Sequence, residues 1–314
     1  MLSSLPKLLS SSVTPKPFLK WAGGKTQLIE QISNFLPTQL NDGSIKKYVE
    51  PFIGGGAIFF WLANKYQIAE LFISDINIEL IIAYKTIQRD VDNLIELLSD
   101  IEVKYLSFNE SQRYEYFYKI RRKFNYQREK INLHQYNNVD WRERTAEIIF
   151  LNKTCYNGLF RVNSKGDFNV PMGSYKKPTI CESEKLKLVA NLLQRTEILQ
   201  GDFTVCDAFV DSNTFVYFDP PYRPISKTSN FTSYSHQSFG DVEQRRLRDL
   251  FKKLDKQGAL LLLSNSDPKN QDINDNFFEN AYAGYRIERV KASRFINSNA
   301  SKRSAINELL IMNY

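Results

Sequence analysis

Cysteine and histidine are scarce in this chain of 314 residues, which holds three of the first and two of the second. Cys155, Cys181 and Cys206 stand far apart, so neither a disulfide framework nor a Cys-x-x-Cys metal site is expected. With only His134 and His236, a zinc set or a Ser/His/Asp triad cannot be assembled, and no metal is expected. No apolar run approaches the roughly 20 residues that span a bilayer, and no internal repeat is found. These absences fit a reduced, cytoplasmic setting away from any membrane.

What is present is a modest excess of basic charge. Lys+Arg number 42 against 35 Asp+Glu, a net charge of +7. Such a balance is common in proteins that meet a polyanion, without specifying one. The length suffices for one large domain or for a core with a sizeable insertion. Residues 1–16, rich in Ser and Leu and free of acids, are expected to form a flexible leader rather than a targeting peptide.

A glycine turn and two strand-to-loop junctions follow. The first, Trp21-Ala22-Gly23-Gly24-Lys25-Thr26, precedes a helical pattern at Leu28, Ile29, Ile32, Phe35 and Leu36 that Pro37 ends. Glycines and a lysine at a helix amino terminus favour an anion. A phosphate-binding P-loop is disfavoured, because Leu19 stands where its first glycine belongs. The second, Tyr48-Val49-Glu50-Pro51-Phe52-Ile53-Gly54-Gly55-Gly56, reads as strand, glycine loop and helix, the opening of a nucleotide-binding βαβ unit. Phe59 occupies the third glycine position of a dinucleotide fingerprint, which disfavours a nicotinamide cofactor. The third is Leu71-Phe72-Ile73-Ser74, ending at Asp75, nineteen residues after Gly56. That offset suits a carboxylate for ribose hydroxyls; Asp75 as a helix N-cap is the structural alternative. Asp202 also sits just past a strand, Thr196–Leu199.

From about Asn77 to Glu184 the composition changes. Arg113–Arg144 holds nine Lys/Arg against four acids, interleaved with Tyr114, Tyr116, Phe117, Tyr118, Phe124 and Tyr126. A solvated helix face and a nucleic-acid surface both draw on these residue types. In Lys153–Lys177, with five bases and one acid, Phe160–Val162 and Phe168–Val170 flank a glycine-containing turn. This predicts a β-hairpin whose Arg161 could read guanine in a major groove. Beside it, Tyr156 and Asn157 offer a ring and an amide.

The chain then reaches Thr-Phe-Val-Tyr-Phe-Asp219-Pro220-Pro221-Tyr222. An uncharged strand ends on a carboxylate, and two prolines make the following turn rigid and non-helical. In open α/β sheets, ligands bind at such carboxyl ends, although an acidic strand end with a proline turn also occurs structurally. The polar, aromatic loop after it has the length of a lid. A charged helix, Val242–Leu254, a buried strand, Ala259–Asn265, and two terminal strands, Tyr285–Ala292 and Asn307–Asn313, complete the expected order.

In this order the motifs FLKWAGGK, YVEPFIGGGA, ISD, YNGLFRVN, GDF, YFDPPY, FTSY and ELLIMNY closely resemble the Dam-type family of DNA adenine-N6 methyltransferases, over nearly the whole chain from Phe18. The resemblance implies an α/β fold: a Rossmann-like S-adenosylmethionine (SAM)-dependent methyltransferase with a mixed seven-stranded sheet and helices on both faces. It also implies an inserted, mostly helical target-recognition domain with a β-hairpin. Residues 17–76 and 189–314 would form the SAM-binding domain, and 77–188 the recognition domain. Trp21 and Lys25 match cofactor-contacting positions near the methionine end, Asp75 the ribose acid, and Asp202 a position near adenine. Gly54, Gly56 and Asp219 join this cofactor set. Asp219, Pro220, Pro221 and Tyr222 match the catalytic motif. Tyr156, Asn157, Leu159 and Arg161 match the DNA-reading hairpin, and Lys20 and Tyr175 are expected to contact DNA with them. Family members typically methylate adenine in GATC. The Ser-rich leader, Cys155 and part of the recognition segment depart from the pattern, so the reaction is better defined than the target.

The implied partners are SAM and double-stranded DNA, with a monomeric enzyme and a cognate restriction endonuclease or an orphan role as options. The residues suit the chemistry. The adenine amino nitrogen is a poor nucleophile because its lone pair is delocalised into the ring. Asp219 and the Pro220 carbonyl, accepting its two N–H bonds, would free that pair for in-line attack on the sulfonium methyl. The base would have to flip out of the duplex and stack on Tyr222. Methylation of cytosine N4 or RNA, and a non-catalytic DNA-binding regulator, are the alternatives.

Overall fold

The computed structural model describes residues 14–21, 23–128, 130, 135, 137–223, 239–293 and 305–314. Most of the expected leader, both histidines and the FTSY motif of the lid-like loop lie outside them.

Seven strands form one sheet: β1 Lys47–Glu50, β2 Glu70–Asp75, β3 Thr196–Gln200, β4 Thr214–Phe218, β5 Leu260–Ser266, β6 Arg286–Ser293 and β7 Ala305–Met312. Their order is β3-β2-β1-β4-β5-β7-β6. Strands β3 to β5 run parallel, and β7 alone is antiparallel to both neighbours. The terminal hairpin expected from sequence is this β6–β7 pair.

Side chains alternate across the sheet with the period of two that a strand imposes. Tyr48, Leu71, Ile73, Phe215, Tyr217, Leu262, Leu310 and Met312 enter one core. Val49, Phe72, Val216, Phe218, Leu261, Leu263, Leu309 and Ile311 enter the other. Burial on both faces explains why β4 reads as an unbroken apolar run. Helices α1 Ile29–Ser33, α2 Ala57–Lys65, α3 Ile78–Ser107, α4 Glu110–Gln127, α5 Asn138–Thr154 and α6 Ser183–Leu193 share the first core. Helices α7 Asp241–Lys256 and α8 Phe277–Ala281 cover the second, with Leu247, Leu250, Phe251 and Leu254 at helical spacing on the buried stripe of α7.

The stretch between β2 and β3 is mostly helical. Helix α3 starts at β2 on an Asn77 N-cap, bends at Asp90, and continues to α4 and α5. Its amino-terminal Leu80, Ile81 and Tyr84 and its later Leu94, Leu98 and Tyr105 belong to one continuous cluster. Arg144 of α5, fully buried, joins the three helices. Its Nε and Nη2 donate to Glu79 at 2.7 and 2.5 Å, and its Nη1 to the Phe124 carbonyl at 2.9 Å. The basic, aromatic run is therefore partly structural: Phe117 and Phe124 are buried, whereas Tyr114 and Tyr126 are exposed.

One local expectation is corrected and one is narrowed. The helix read at Leu28–Leu36 shrinks to a 3-10 turn, Lys25–Gln27, and the five residues of α1. The recognition hairpin lacks continuous strands: it has an isolated antiparallel bridge, Val162–Phe168, and a second at its base, Cys155–Met172. The turn carries ladder bonds, the Asn163 N–H donating to the Asp167 carbonyl at 2.9 Å and the Asn169 N–H to the Arg161 carbonyl at 3.1 Å, and helix α4 braces the outward-facing edge of the second arm. Asn125 accepts from the Phe168 N–H at 2.8 Å and donates to its carbonyl at 3.1 Å, and Arg121 donates to the Val170 carbonyl at 3.2 Å.

Candidate active site

The strand order reverses between β1 and β4, and a crevice outside their carboxyl ends is where an open α/β sheet binds its ligand. Four strands end there on acids or lead into them: Glu50, Asp75, Asp202 and Asp219.

Asp219 follows β4. Its Oδ1 accepts from the Lys25 ammonium at 2.6 Å and from the Ser264 hydroxyl at 3.0 Å. Lys25 is buried at 4% exposure, and its Nζ lies 4.6 Å from the Tyr222 ring centroid. The ammonium thus meets an anion, but a carboxylate of the chain itself, presented from a 3-10 turn. Ser264 also lies 3.0 Å from the Tyr217 hydroxyl. Tyr222 donates its hydroxyl proton to Glu308 Oε2 of β7 at 2.5 Å. The turn is braced further on: Gln244 donates to the Pro221 carbonyl at 3.2 Å, and Asn265 accepts from the Arg223 N–H at 3.3 Å. Buried Glu50 accepts from the Tyr48 hydroxyl at 2.5 Å. Burial pushes its carboxyl well up, and the nearby Asp219 charge acts the same way.

The glycine loop follows β1, the strand beside β4. Gly54 and Gly56 have φ of +46° and +74°. A Cβ at Gly54 or Gly55 would come within 3.0 Å of Trp21, and one at Gly56 within 2.7 Å of the Tyr84 hydroxyl. The Gly54 N–H donates to Asp75 Oδ2 at 3.0 Å, and the Asn77 N–H to Asp75 Oδ1 at 2.8 Å. Asn77, not Asp75, caps α3. Burial pushes the Asp75 carboxyl up to about 6 against these hydrogen bonds. A carboxylate has about four acceptor positions, so Asp75 keeps capacity for hydroxyl donors. Beside it, the Gly201 N–H donates to the Asp75 carbonyl at 3.1 Å. Asp202 caps a 3-10 turn through the Thr204 N–H and pairs with Arg246 at 3.0 Å. Phe203 stacks on Phe52 at 5.4 Å. A glycine cradle, a hydroxyl-accepting acid, an aromatic wall and several carboxylates fit a nucleoside bearing a positive centre.

The residues expected at DNA form a second group. Tyr156 is 57% exposed and Tyr175 38%. Asn157 has φ +58°, the one positive value at a non-glycine among the described residues. Leu159 packs on the core. Lys20 Nζ lies 5.8 Å from the Tyr175 ring centroid, and Trp21 stacks on Phe160 at 5.0 Å. Exposed Arg161 donates from Nε to Asn169 Oδ1 at 2.8 Å.

Sequence reading did not single out Glu50, Asn152, Gln244, Ser264, Asn265 or Glu308. Ser264 and Asn265 did carry a signal: they are polar residues closing an apolar strand, as Asp75 and Asp219 are. Glu308 opens the ELLIMNY motif, but nothing local ties it to the site, since its relevance depends on β7 lying beside β5.

Fold and site together define an α/β protein that gathers a glycine loop and several acids at its topological switch point. A family model described as D12 class N6 adenine-specific DNA methyltransferase matches residues 21–296, and the chain belongs to that family. It is 51% identical over 300 residues to the Type II methyltransferase M.MjaIII of Methanocaldococcus jannaschii, covering 95% of this chain and 99% of that protein. It is 34% identical over 312 residues to a DNA adenine methylase of Haemophilus influenzae, covering 99% and 98%. With the DNA adenine methylase of Escherichia coli the identity is 31% over 303 residues, covering 95% of each. The protein is an adenine-specific DNA methyltransferase. Among the described residues, no helix is long and apolar enough to cross a membrane.

Proposed function

We propose that the enzyme methylates adenine N6 within GATC in duplex DNA, on a base rotated out of the helix into the crevice at Asp219. The observation that carries this reading is the joint presence of Asp219 and the Tyr222 ring at one end of β4, the strand beside β1, which leads into the Gly54–Gly56 loop. Bound SAM supplies an electrophilic methyl group on a sulfonium centre. Asp75 would accept from its ribose hydroxyls, Trp21 and the glycine loop would shape its seat, and Asp202 would lie by its adenine. The acids of the crevice suit a cation.

Asp219 and the Pro220 carbonyl accept the two N–H bonds of the target amino group, drawing its lone pair out of conjugation and aiming it at the methyl. Tyr222 stacks on the displaced base. Lys25 stands against Oδ1 and over that ring, so it yields its place as the base enters. Residues 77–188 act as the recognition domain. In it, Arg161 reads a guanine, and Tyr156, Asn157, Leu159 and Tyr175, with Lys20 from the amino-terminal segment, make the remaining DNA contacts. The Type II naming of the archaeal relative supports a restriction-modification setting with a partner endonuclease.

Labelled SAM incubated with duplexes containing or lacking GATC tests this. Label in N6-methyladenine only with GATC is expected. Equal labelling of both duplexes would refute the target, and an unimpaired Asp219→Ala would refute the catalytic assignment.

A further inference from the structure

Asn152 lies in the last turn of α5 and is 2% exposed. A buried primary amide is costly unless its donors and acceptor are satisfied. Asn152 satisfies them on the main chain of two separate segments. Its Oδ1 accepts from the Lys20 N–H at 2.9 Å, while its Nδ2 donates to the Lys20 carbonyl at 2.9 Å and the Gly158 carbonyl at 2.8 Å. The amide thus pairs with Lys20 as a neighbouring strand would and ties that residue to the turn Tyr156–Gly158.

Packing tightens the same joint. Gly158, at φ +66°, lies against the stem of Lys20, whose Cδ is 2.5 Å from where a Cβ would stand. Trp21 stacks on Phe160 on one side and packs against Gly54 and Gly55 on the other. A few residues on, Lys25 reaches Asp219. One short stretch therefore touches the exposed turn, the glycine loop and the carboxylate at β4.

We propose that Asn152 is a specificity-determining positioning residue: it makes the seating of the turn Tyr156–Gly158 on DNA move Lys20 and Trp21, and through them the glycine loop and Lys25. The proposal rests on the reading of that turn as a DNA contact. With the amide in place, the turn and Lys20 shift as one unit. Without it, a displacement of the turn is lost in the joint. Aspartate at this position keeps the shape and the bond to the Lys20 N–H, but has no donor for either carbonyl.

The test compares wild type, Asn152→Asp and Asn152→Ala as full-length enzymes. Initial methylation rates are measured on the preferred duplex, identified by mapping modified adenines, and on duplexes altered at one base pair. The ratio of the two rates does not depend on how much of a variant is folded, so a purely structural role leaves it unchanged. Both variants are expected to lower the ratio by about tenfold, the scale of one or two lost hydrogen bonds, with the larger loss on the preferred duplex. A ratio equal to that of wild type in both variants overturns the coupling. A wild-type enzyme that shows no preference among the duplexes refutes the DNA-reading assignment beneath it.

Discussion

Lys25 lies 194 positions from Asp219 in the chain and holds its ammonium 2.6 Å from Oδ1 of that carboxylate. The pair joins the amino-terminal segment to the turn after β4, and its geometry gives Asp219 a defined direction. Asp219→Ala is expected to reduce single-turnover methylation by about 10²–10³-fold or more, the cost of removing one polar group aimed at a transition state. DNA affinity should persist, measured by fluorescence anisotropy. Retained turnover would remove Asp219 from the chemistry.

Tyr222 is held by Glu308 through its hydroxyl. Tyr222→Phe keeps the stacking face and is expected to lower kcat modestly. Tyr222→Ala should cost about 1–3 kcal/mol more, the contribution of a base stacked on an aromatic ring. Fluorescence of 2-aminopurine at the target position separates base displacement from chemistry. Equal effects of the two variants would argue against stacking.

Arg161→Ala should cost about 1–3 kcal/mol at one base pair and relax discrimination there. Asn169→Ala should act in the same direction more weakly, because Asn169 Oδ1 orients the guanidinium from 2.8 Å. Rates on a panel of single-substituted duplexes decide this, and a uniform fall would make Arg161 a phosphate contact.

Asp75 brings a pH dependence. Its carboxyl is raised to about 6 from 3.8 by burial, so its protonated form is favoured in the fold. Its contribution to stability is complete below about 3.8 and is lost as pH rises through about 6. Hydroxyl acceptance runs the other way, being strongest for the ionised form. SAM affinity measured by calorimetry is expected to weaken as pH falls from 7.5 to 5. Asp75→Asn should weaken it at pH 7.5 and flatten that limb. A wild-type profile without the limb would remove Asp75 from the ribose site.

Glu79→Ala leaves the fully buried Arg144 guanidinium without its carboxylate. Removing one partner of a buried ion pair costs about 3–5 kcal/mol, so denaturant unfolding should show a loss of that order. A change below about 1 kcal/mol would mean that water reaches Arg144.

The sequence by itself determined the strand-to-acid junctions at Asp75, Asp202 and Asp219, the glycine loop and the closing β6–β7 pair, because each rests on local rules. Uncharged β-branched and aromatic residues make strands, proline stops them, and glycine admits the positive φ at 54 and 56. Tertiary structure decided which side chains meet. Lys25 was legible as a cation awaiting an anion, but only the apposition of the Lys25–Gln27 turn with β4 made that anion Asp219. Glu308 reached Tyr222 because β7 inserts beside β5, and Asn152 reached Lys20 because α5 packs under the recognition turn. The hairpin over residues 160–170 was legible as two arms about a glycine turn, and its ladder bonds form at 161–169 and 163–167. Its bracing by Arg121 and Asn125 of α4 was not, because hydrogen bonds between distant segments leave no local trace.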